Sequence, residues 1–204
     1  SVRGIRFGDL RGAIGHTRPA LLVCATAALS GSYLARGLRW RIQIGAVAPI
    51  GRLTAFWAAM SGYLTNNLLP LRAGEITRPL VTSRVTNVSV AYAVAAVLVE
   101  HVTDILALSL MTLLAASAHG AMPVWLRDAA RAFAVVGIIG VPALIVLARM
   151  EEMLGTILDR LPVPTAVARA AHAPISRFLA GLRSLQRPID AFSYAGLTAI
   201  VWLL

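Results

Sequence analysis

The chain has few charged residues and no lysine. Charged residues make up 14% of its 204 residues, whereas a soluble globular domain carries about 25%. All 19 basic residues are arginines, and the formal net charge is +10. These arginines cluster at the ends of apolar runs instead of covering one face of a water-soluble body, which argues against a nucleic-acid partner and fits a membrane surface. The scarcity of charge therefore predicts an integral membrane protein.

Residues that build disulfides, metal sites and nucleotide sites are equally scarce. Cys24 is the only cysteine, so no internal disulfide can form, and the four histidines are scattered without zinc-ligand spacing. The chain also has no glycine-rich loop ending in Lys-Ser/Thr that would hold ATP phosphates. We therefore expect no cofactor and no metal. Any transport would draw on a gradient, on a coupled partner or on no energy source.

Hydropathy predicts an all-α fold, a polytopic transmembrane helix bundle. The apolar segments are Pro19–Ala35, Leu53–Leu71, Val88–Ala116, Ala132–Ala148 and a run that starts near Ala191. Arg36, Arg39, Trp40 and Arg41 close the first segment, which is typical of a helix that leaves the bilayer at headgroup level. Residues 1–204 are expected to form a single transmembrane domain. Because residue 1 is Ser and the last run is shorter than the about 20 residues that a span needs, we expect flanking helices at both ends.

Residues 150–190 are predicted to form an interfacial amphipathic segment on the cytoplasmic side. One apolar face at helical spacing comprises Leu154, Ile157, Leu158 and Leu161. After Pro162 and Pro164 a second face follows, with Ile175, Phe178, Leu179, Leu182 and Leu185. Helices of this kind rest on a leaflet, and their arginine excess favours the cytoplasmic one.

The stretch from Asn66 to Glu75 interrupts the second apolar segment with amides, a proline, an arginine and a glycine. Polar groups at bilayer depth cost several kcal/mol unless they are satisfied, and freed backbone is tolerated there only under protein or water. The pattern predicts a broken or re-entrant helix that lines a polar site. Counting arginines in the loops gives the same totals for a span and for a re-entrant hairpin, so both stay open, and the break favours re-entrance.

Two constellations supply the predicted substrate-binding residues. The first comprises Asn66, Asn67, Arg72, Glu75 and Arg78, and the second comprises Glu100 and Asp104 beside His101. Glu100 and Asp104 share a helix face, where they would repel each other unless a cation or a proton lies between them. Arg72 or Arg78 is the predicted partner. The alternative interpretation is a wetted helix end with snorkelling side chains and no binding role.

These residues resemble the lysylphosphatidylglycerol synthase transmembrane family, which is also described as flippase-like. The resemblance covers Leu38-Arg39-Trp40-Arg41, the stretch Gly62–Arg78 and Glu100-His101-Val102-Thr103-Asp104. Residues 66–78 follow the family pattern N-x-L-L-P-x-R-x-G-E-x-x-R throughout. The later pattern, E-R-x-x-D, is changed, since His101 stands where the family usually has Arg; a protonatable His can supply that charge in part.

The resemblance implies a helix bundle in the bacterial cytoplasmic membrane that moves lipids between leaflets. Its expected partners are anionic or aminoacylated phospholipids, or polyprenyl-linked sugars, with a homo-oligomer or a separate lipid-synthesising protein beside it. Arg72 and Arg78 would hold the phosphate, while the acidic residues would balance them and meet a cationic headgroup. Two rival hypotheses stay open: a membrane-embedded transferase acting on a lipid phosphate, with Glu100 or Asp104 as base, and a non-transporting assembly subunit.

Overall fold

Helices account for nearly all of the described chain, which the computed structural model covers over residues 18–70, 72–119, 123–150, 165–185 and 187–204. Within these ranges it contains the helices α1 Pro19–Gly45, α2 Arg52–Leu68, α3 Gly74–Val85, α4 Val90–His119, α5 Val124–Arg149, α6 Thr165–Leu182 and α7 Pro188–Leu203. The predicted all-α fold class is confirmed. Among the described residues, three segments are long and apolar enough to cross a membrane: Pro19–Gly45, Val90–Ser117 and Val124–Arg149.

Local sequence explains where several helices begin and end. Pro19 and Pro188 open α1 and α7, at the position where the missing N–H of proline costs nothing. Leu69 has φ −113° and ψ 145°, the extended conformation that a following proline imposes, so α2 ends before Pro70. The Oγ atom of Ser89 accepts a hydrogen bond from the Tyr92 N–H at 3.2 Å, which satisfies a backbone donor in the first turn of α4.

Helices α2 and α3 form a hairpin around the predicted break. The chain reverses direction, since Gly62 on α2 lies against both Gly74 and Arg78 on α3. At 1.5 Å per residue the two helices are about 25 Å and 18 Å long, and both are shorter than the hydrocarbon core of a bilayer, about 30 Å thick. The predicted break is thus present, and the hairpin has the dimensions of a re-entrant element. Leu71, the predicted end of the apolar segment, lies outside the described residues.

Helix α1 is longer than its apolar segment, because it continues through the basic cluster to Gly45. Arg39 and Trp40 are fully buried, so the structure places them in the protein interior instead of among headgroups. Trp40 and Ile44 pack there with small residues of α2 and α4, including Ala58 and Ala96. Small side chains allow helix backbones to approach closely, as in membrane bundles generally.

Helix α4 lies at the centre of the bundle, where it contacts α3, α5, α6 and α7. The apolar face of α6 packs on the protein: Leu179 and Leu182 form a cluster with Ala95 and Val99 of α4 and with Ala148 of α5. The face from Leu154 to Leu161, with Pro162 and Pro164, lies outside the described residues. The position of residues 150–190 on the cytoplasmic side stays a prediction.

Candidate functional site

A polar cavity of about 140 Å³ lies between α1, the α2–α3 hairpin and α4. That volume has room for on the order of ten water molecules. Its lining comprises Arg36, Ala59, Gly62, Tyr63, Asn66, Gly74, Glu75, Arg78, Val97, Glu100, His101 and Asp104. Five of the seven predicted binding residues are among them: Asn66, Glu75, Arg78, Glu100 and Asp104. The two predicted constellations therefore meet in one place.

Glu100 is paired with Arg78, one of its two predicted partners. The Arg78 Nη2 atom lies 2.9 Å from Glu100 Oε2, and both side chains are almost completely buried. The guanidinium carbon of Arg78 also lies 3.7 Å from the ring centre of Trp40, and the Trp40 indole N–H donates to Thr82 Oγ1 at 3.1 Å. Cation–π contacts of this kind are worth about 2 kcal/mol or more when water is excluded. Arg78 is therefore held on both its face and its edge.

Asp104 has a partner that the sequence argument did not predict. The Arg39 Nη1 atom lies 2.7 Å from Asp104 Oδ1, and Arg39 Nη2 donates to the hydroxyl of Tyr194 on α7 at 2.7 Å. Trp202 on α7 also donates from its indole N–H to Asp104 Oδ1 at 3.4 Å. The repulsion expected between the two carboxylates of α4 is thus relieved by separate arginines from α3 and α1.

Asn66 holds the hairpin closed, whereas Asn67 and Arg72 point away from the cavity. The Asn66 Oδ1 atom accepts a hydrogen bond from the Gly74 N–H at 2.7 Å, across the break. Asn67 is exposed and donates back to the Tyr63 carbonyl of its own helix at 3.0 Å. The side chain of Arg72 is 80% exposed and lies 3.6 Å from Glu75. Arg72 also has φ 53°, a left-handed conformation that a non-glycine residue adopts at a cost.

Glu75 and His101 form a second, more open polar contact in the cavity wall. The His101 Nδ1 atom lies 2.8 Å from the Val97 carbonyl oxygen, and because a carbonyl can only accept, Nδ1 must carry the proton of that bond. The other ring nitrogen, Nε2, then faces Glu75 Oε1 at 3.4 Å. A lone pair facing a carboxylate would be repulsive, so the pair is attractive only when one of the two groups is protonated.

Arg36 is a cavity residue that the sequence argument missed. Its Nη1 donates to the Tyr63 hydroxyl at 3.2 Å, and its guanidinium carbon lies 5.6 Å and 6.0 Å from the ring centres of Tyr63 and Trp202. A helical pattern could have found it, because α1 carries a polar stripe at i, i+3, i+4 and i+7. The stripe comprises Arg36, Arg39, Trp40 and Gln43. Gln43 is buried as well, and it donates to the Ala96 carbonyl at 2.9 Å.

The cavity is thus built from cations and acids that are largely paired across helices. Over the described ranges, no group of three or more His, Cys, Asp or Glu side chains could hold a metal ion. What the arrangement offers is hydrogen-bond donors and charges of both signs beside helices with apolar outer faces. Such a surface suits a ligand that has both polar and apolar parts.

Comparison with known proteins identifies the family. The family model described as the lysylphosphatidylglycerol synthase TM region matches residues 1–204 of the chain. No curated protein and no solved structure matches the chain significantly. Because the family match extends over the whole sequence, the chain belongs to the lysylphosphatidylglycerol synthase transmembrane family of membrane proteins.

Proposed function

We propose that this protein binds phospholipids with a polar headgroup and moves them between the leaflets of the bacterial cytoplasmic membrane, which it crosses several times. The observation that carries the proposal is the charged cavity beside the hairpin. A headgroup would enter this cavity, while the acyl chains stay against apolar side chains. Exposed residues of α5 such as Val135, Val136, Ile138 and Ile139 illustrate such an outer surface.

The hairpin gives a physical reason for the location of the site. Its break brings backbone and side-chain donors to the end of α2, at a place where the neighbouring α4 carries the buried Glu100. Discontinuous helices build substrate sites in many transporters for this reason. The proposed substrate contacts are Asn66, Asn67, Arg72, Glu75, Arg78, Glu100 and Asp104. Five of these residues line the cavity, and anionic or aminoacylated phospholipids are the proposed ligands.

A second candidate function, an assembly subunit that transports nothing, is favoured by two ion pairs between helices, one buried and one partly buried. The Arg39–Asp104 pair joins α1 to α4, and the Arg78–Glu100 pair joins α3 to α4. In an assembly subunit, such pairs would fix the helices in one arrangement and have no other role, as buried polar groups do in some other proteins. Glu75 separates the two functions, because it is 40% exposed in the cavity wall and joins no buried pair.

Leaflet exchange in proteoliposomes tests the proposal. The full-length protein would be reconstituted with fluorescent phosphatidylglycerol or its lysyl derivative, beside the Glu75→Gln variant. Asp128→Asn, which removes an exposed acid on α5, is the matched control. We expect exchange in the parent and in the control, and at least a tenfold slower rate in Glu75→Gln at an unchanged melting temperature.

Two other results would contradict this proposal. If the folded parent exchanges neither lipid, and Glu75→Gln only lowers the melting temperature, the assembly subunit is the better account. If the purified parent instead forms a covalent product from either lipid, the transferase hypothesis takes its place.

A further inference from the structure

We infer that Arg36 is the anion-binding group of the cavity, and that it recognises the phosphodiester of a membrane lipid. This inference rests on the proposed function and names a residue outside the motifs that carry the resemblance. It follows from a count of which charges are already paired.

Each acid of the cavity lies near an arginine, at short distance for Asp104 and Glu100 and at longer distance, on the exposed side, for Glu75. Asp104 lies 2.7 Å from Arg39, Glu100 lies 2.9 Å from Arg78, and Glu75 lies 3.6 Å from Arg72. Of the two arginines that line the cavity, Arg78 is therefore neutralised. Among the described residues, no carboxylate forms an ion pair with Arg36, and its one hydrogen bond goes to the neutral hydroxyl of Tyr63. Of the two arginines in the described cavity lining, Arg36 is thus the one without a carboxylate partner of its own.

The surroundings of Arg36 prepare it for a phosphate. The rings of Tyr63 and Trp202 lie near its guanidinium carbon and restrict the side chain. Of its five N–H donors, one has a hydrogen-bond partner among the described residues. A guanidinium presents these donors in a planar fork that matches two phosphate oxygens. Arg36 is only partly buried, so an incoming anion can reach it. Arg39, by contrast, is fully buried, and its charge is balanced by Asp104.

Lipid binding by single-arginine variants of the full-length protein tests this inference. The dissociation constant of short-chain phosphatidylglycerol would be measured by calorimetry in detergent for the parent, Arg36→Gln and Arg36→Lys. Arg84→Gln is the matched control, because Arg84 is exposed on the hairpin away from the cavity lining. We expect Arg36→Gln to weaken binding about tenfold or more, Arg36→Lys to restore part of it, and Arg84→Gln to leave it unchanged.

Two further ligands identify the recognised chemistry. Diacylglycerol, which lacks the phosphate, should bind the parent and Arg36→Gln equally weakly. Inorganic phosphate should compete with phosphatidylglycerol only at far higher concentration than the lipid itself. If inorganic phosphate binds as tightly as the lipid, the site takes free phosphate and the inference of a lipid ligand is overturned.

The Tyr63→Phe variant distinguishes a purely structural role of Arg36 from a binding role, because it removes the hydroxyl that Arg36 contacts. We expect Tyr63→Phe, which keeps the ring beside the Arg36 guanidinium, to weaken phosphatidylglycerol binding clearly less than Arg36→Gln does. The inference is wrong if Arg36→Gln binds the lipid like the parent, if the parent does not bind it, or if Tyr63→Phe and Arg36→Gln weaken binding equally with equal losses of melting temperature. If the parent exchanges lipid and Arg36→Gln exchanges it at the same rate, this role of Arg36 is refuted and the proposed function stands. If the parent binds the lipid through Arg36 but does not exchange it, the role of Arg36 stands and the proposed function is refuted.

Discussion

Helix α4 adds charged contacts to its apolar packing on the side of the α2–α3 hairpin and α1, whereas it contacts α5 through apolar side chains. On the first side Glu100 meets Arg78 of α3, and Asp104 turns toward Arg39 of α1. On the second side Val102 and Leu106 pack against Gly140 and Gly137 of α5. A shift of two residues along a helix is a rotation of about 200°, so one short stretch of α4 separates a charged interface from an apolar one.

The comparison shows how a mostly apolar protein can keep charge inside. Both the hairpin and the α4–α5 interface use glycine for close approach, Gly62 and Gly74 in the one and Gly137 and Gly140 in the other. Among the described residues, the ion pairs of α4 lie on the hairpin side, where the buried Glu100 and the partly buried Asp104 each have an arginine from another helix. The charged interface should therefore tolerate loss of a single partner poorly, while the apolar interface responds only to changes of volume.

Loss of one charge in the buried pair is expected to have the largest effect. In Glu100→Gln the Arg78 guanidinium keeps its charge in a buried place without a counter-ion, which costs about 3–5 kcal/mol. Val102→Ala, on the other side of the same helix, should cost about 1–2 kcal/mol through lost packing. Melting temperatures in detergent measure both. The double variant Arg78→Met with Glu100→Leu should recover most of the loss, since no charge is then left alone. Equal destabilisation by Glu100→Gln and Val102→Ala would remove the distinction between the two interfaces.

Much of this interface follows from residue types and spacing. Glu100 and Asp104 at i and i+4 in an apolar segment require partners, and Pro70 and Gly74 require a break in the helix. Hydropathy could not place Arg39, because an arginine beside Trp40 at the end of an apolar run is equally typical of a headgroup contact. Which arginine pairs with which acid depends on how α1 and α3 pack against α4. Local sequence patterns do not predict this long-range packing. The sequence analysis did not predict that Arg36 lines the cavity. Its helical spacing with Arg39 and Gln43 indicates a shared face of α1, but not which helix that face packs against.

Close approach within the hairpin is expected to give the next largest effect. A Cβ atom on Gly74 would collide with the Gly62 carbonyl oxygen and would lie 2.6 Å from Asn66 Oδ1. Because a backbone oxygen cannot rotate away, Gly74→Ala should destabilise the fold by about 3 kcal/mol, or roughly 6 °C in melting temperature. On the apolar side, a Cβ on Gly140 would meet only the two methyl groups of Val102, the nearer at 2.9 Å, so Gly140→Ala should cost less.

Gly196→Ala is the control for these glycine variants, because nothing lies within 4 Å of a Cβ atom there. Alanine is the better helix former by about 1 kcal/mol, so this variant should be as stable as the parent or slightly more stable. A melting temperature of Gly74→Ala as high as that of Gly196→Ala would show that the two arms of the hairpin are not in contact.

The smallest change in melting temperature is expected for substitutions at the break between α2 and α3, where backbone strain matters more than side-chain packing. Arg72 has φ 53°, a conformation that glycine adopts without penalty, and its side chain is 80% exposed with only a 3.6 Å contact to Glu75. An exposed ion pair contributes about 0–1 kcal/mol, and relief of the left-handed conformation returns about 1 kcal/mol or more. Greater backbone freedom of glycine in the unfolded chain offsets part of that gain. Arg72→Gly should therefore leave the melting temperature unchanged or raise it by a few degrees, whereas Arg72→Ala, which keeps the strain and loses the contact, should lower it slightly. A larger loss of melting temperature in Arg72→Gly than in Arg72→Ala would mean that backbone strain at residue 72 does not limit the stability of the hairpin. The contrast drawn between a strained break and well-packed helix faces would then be wrong.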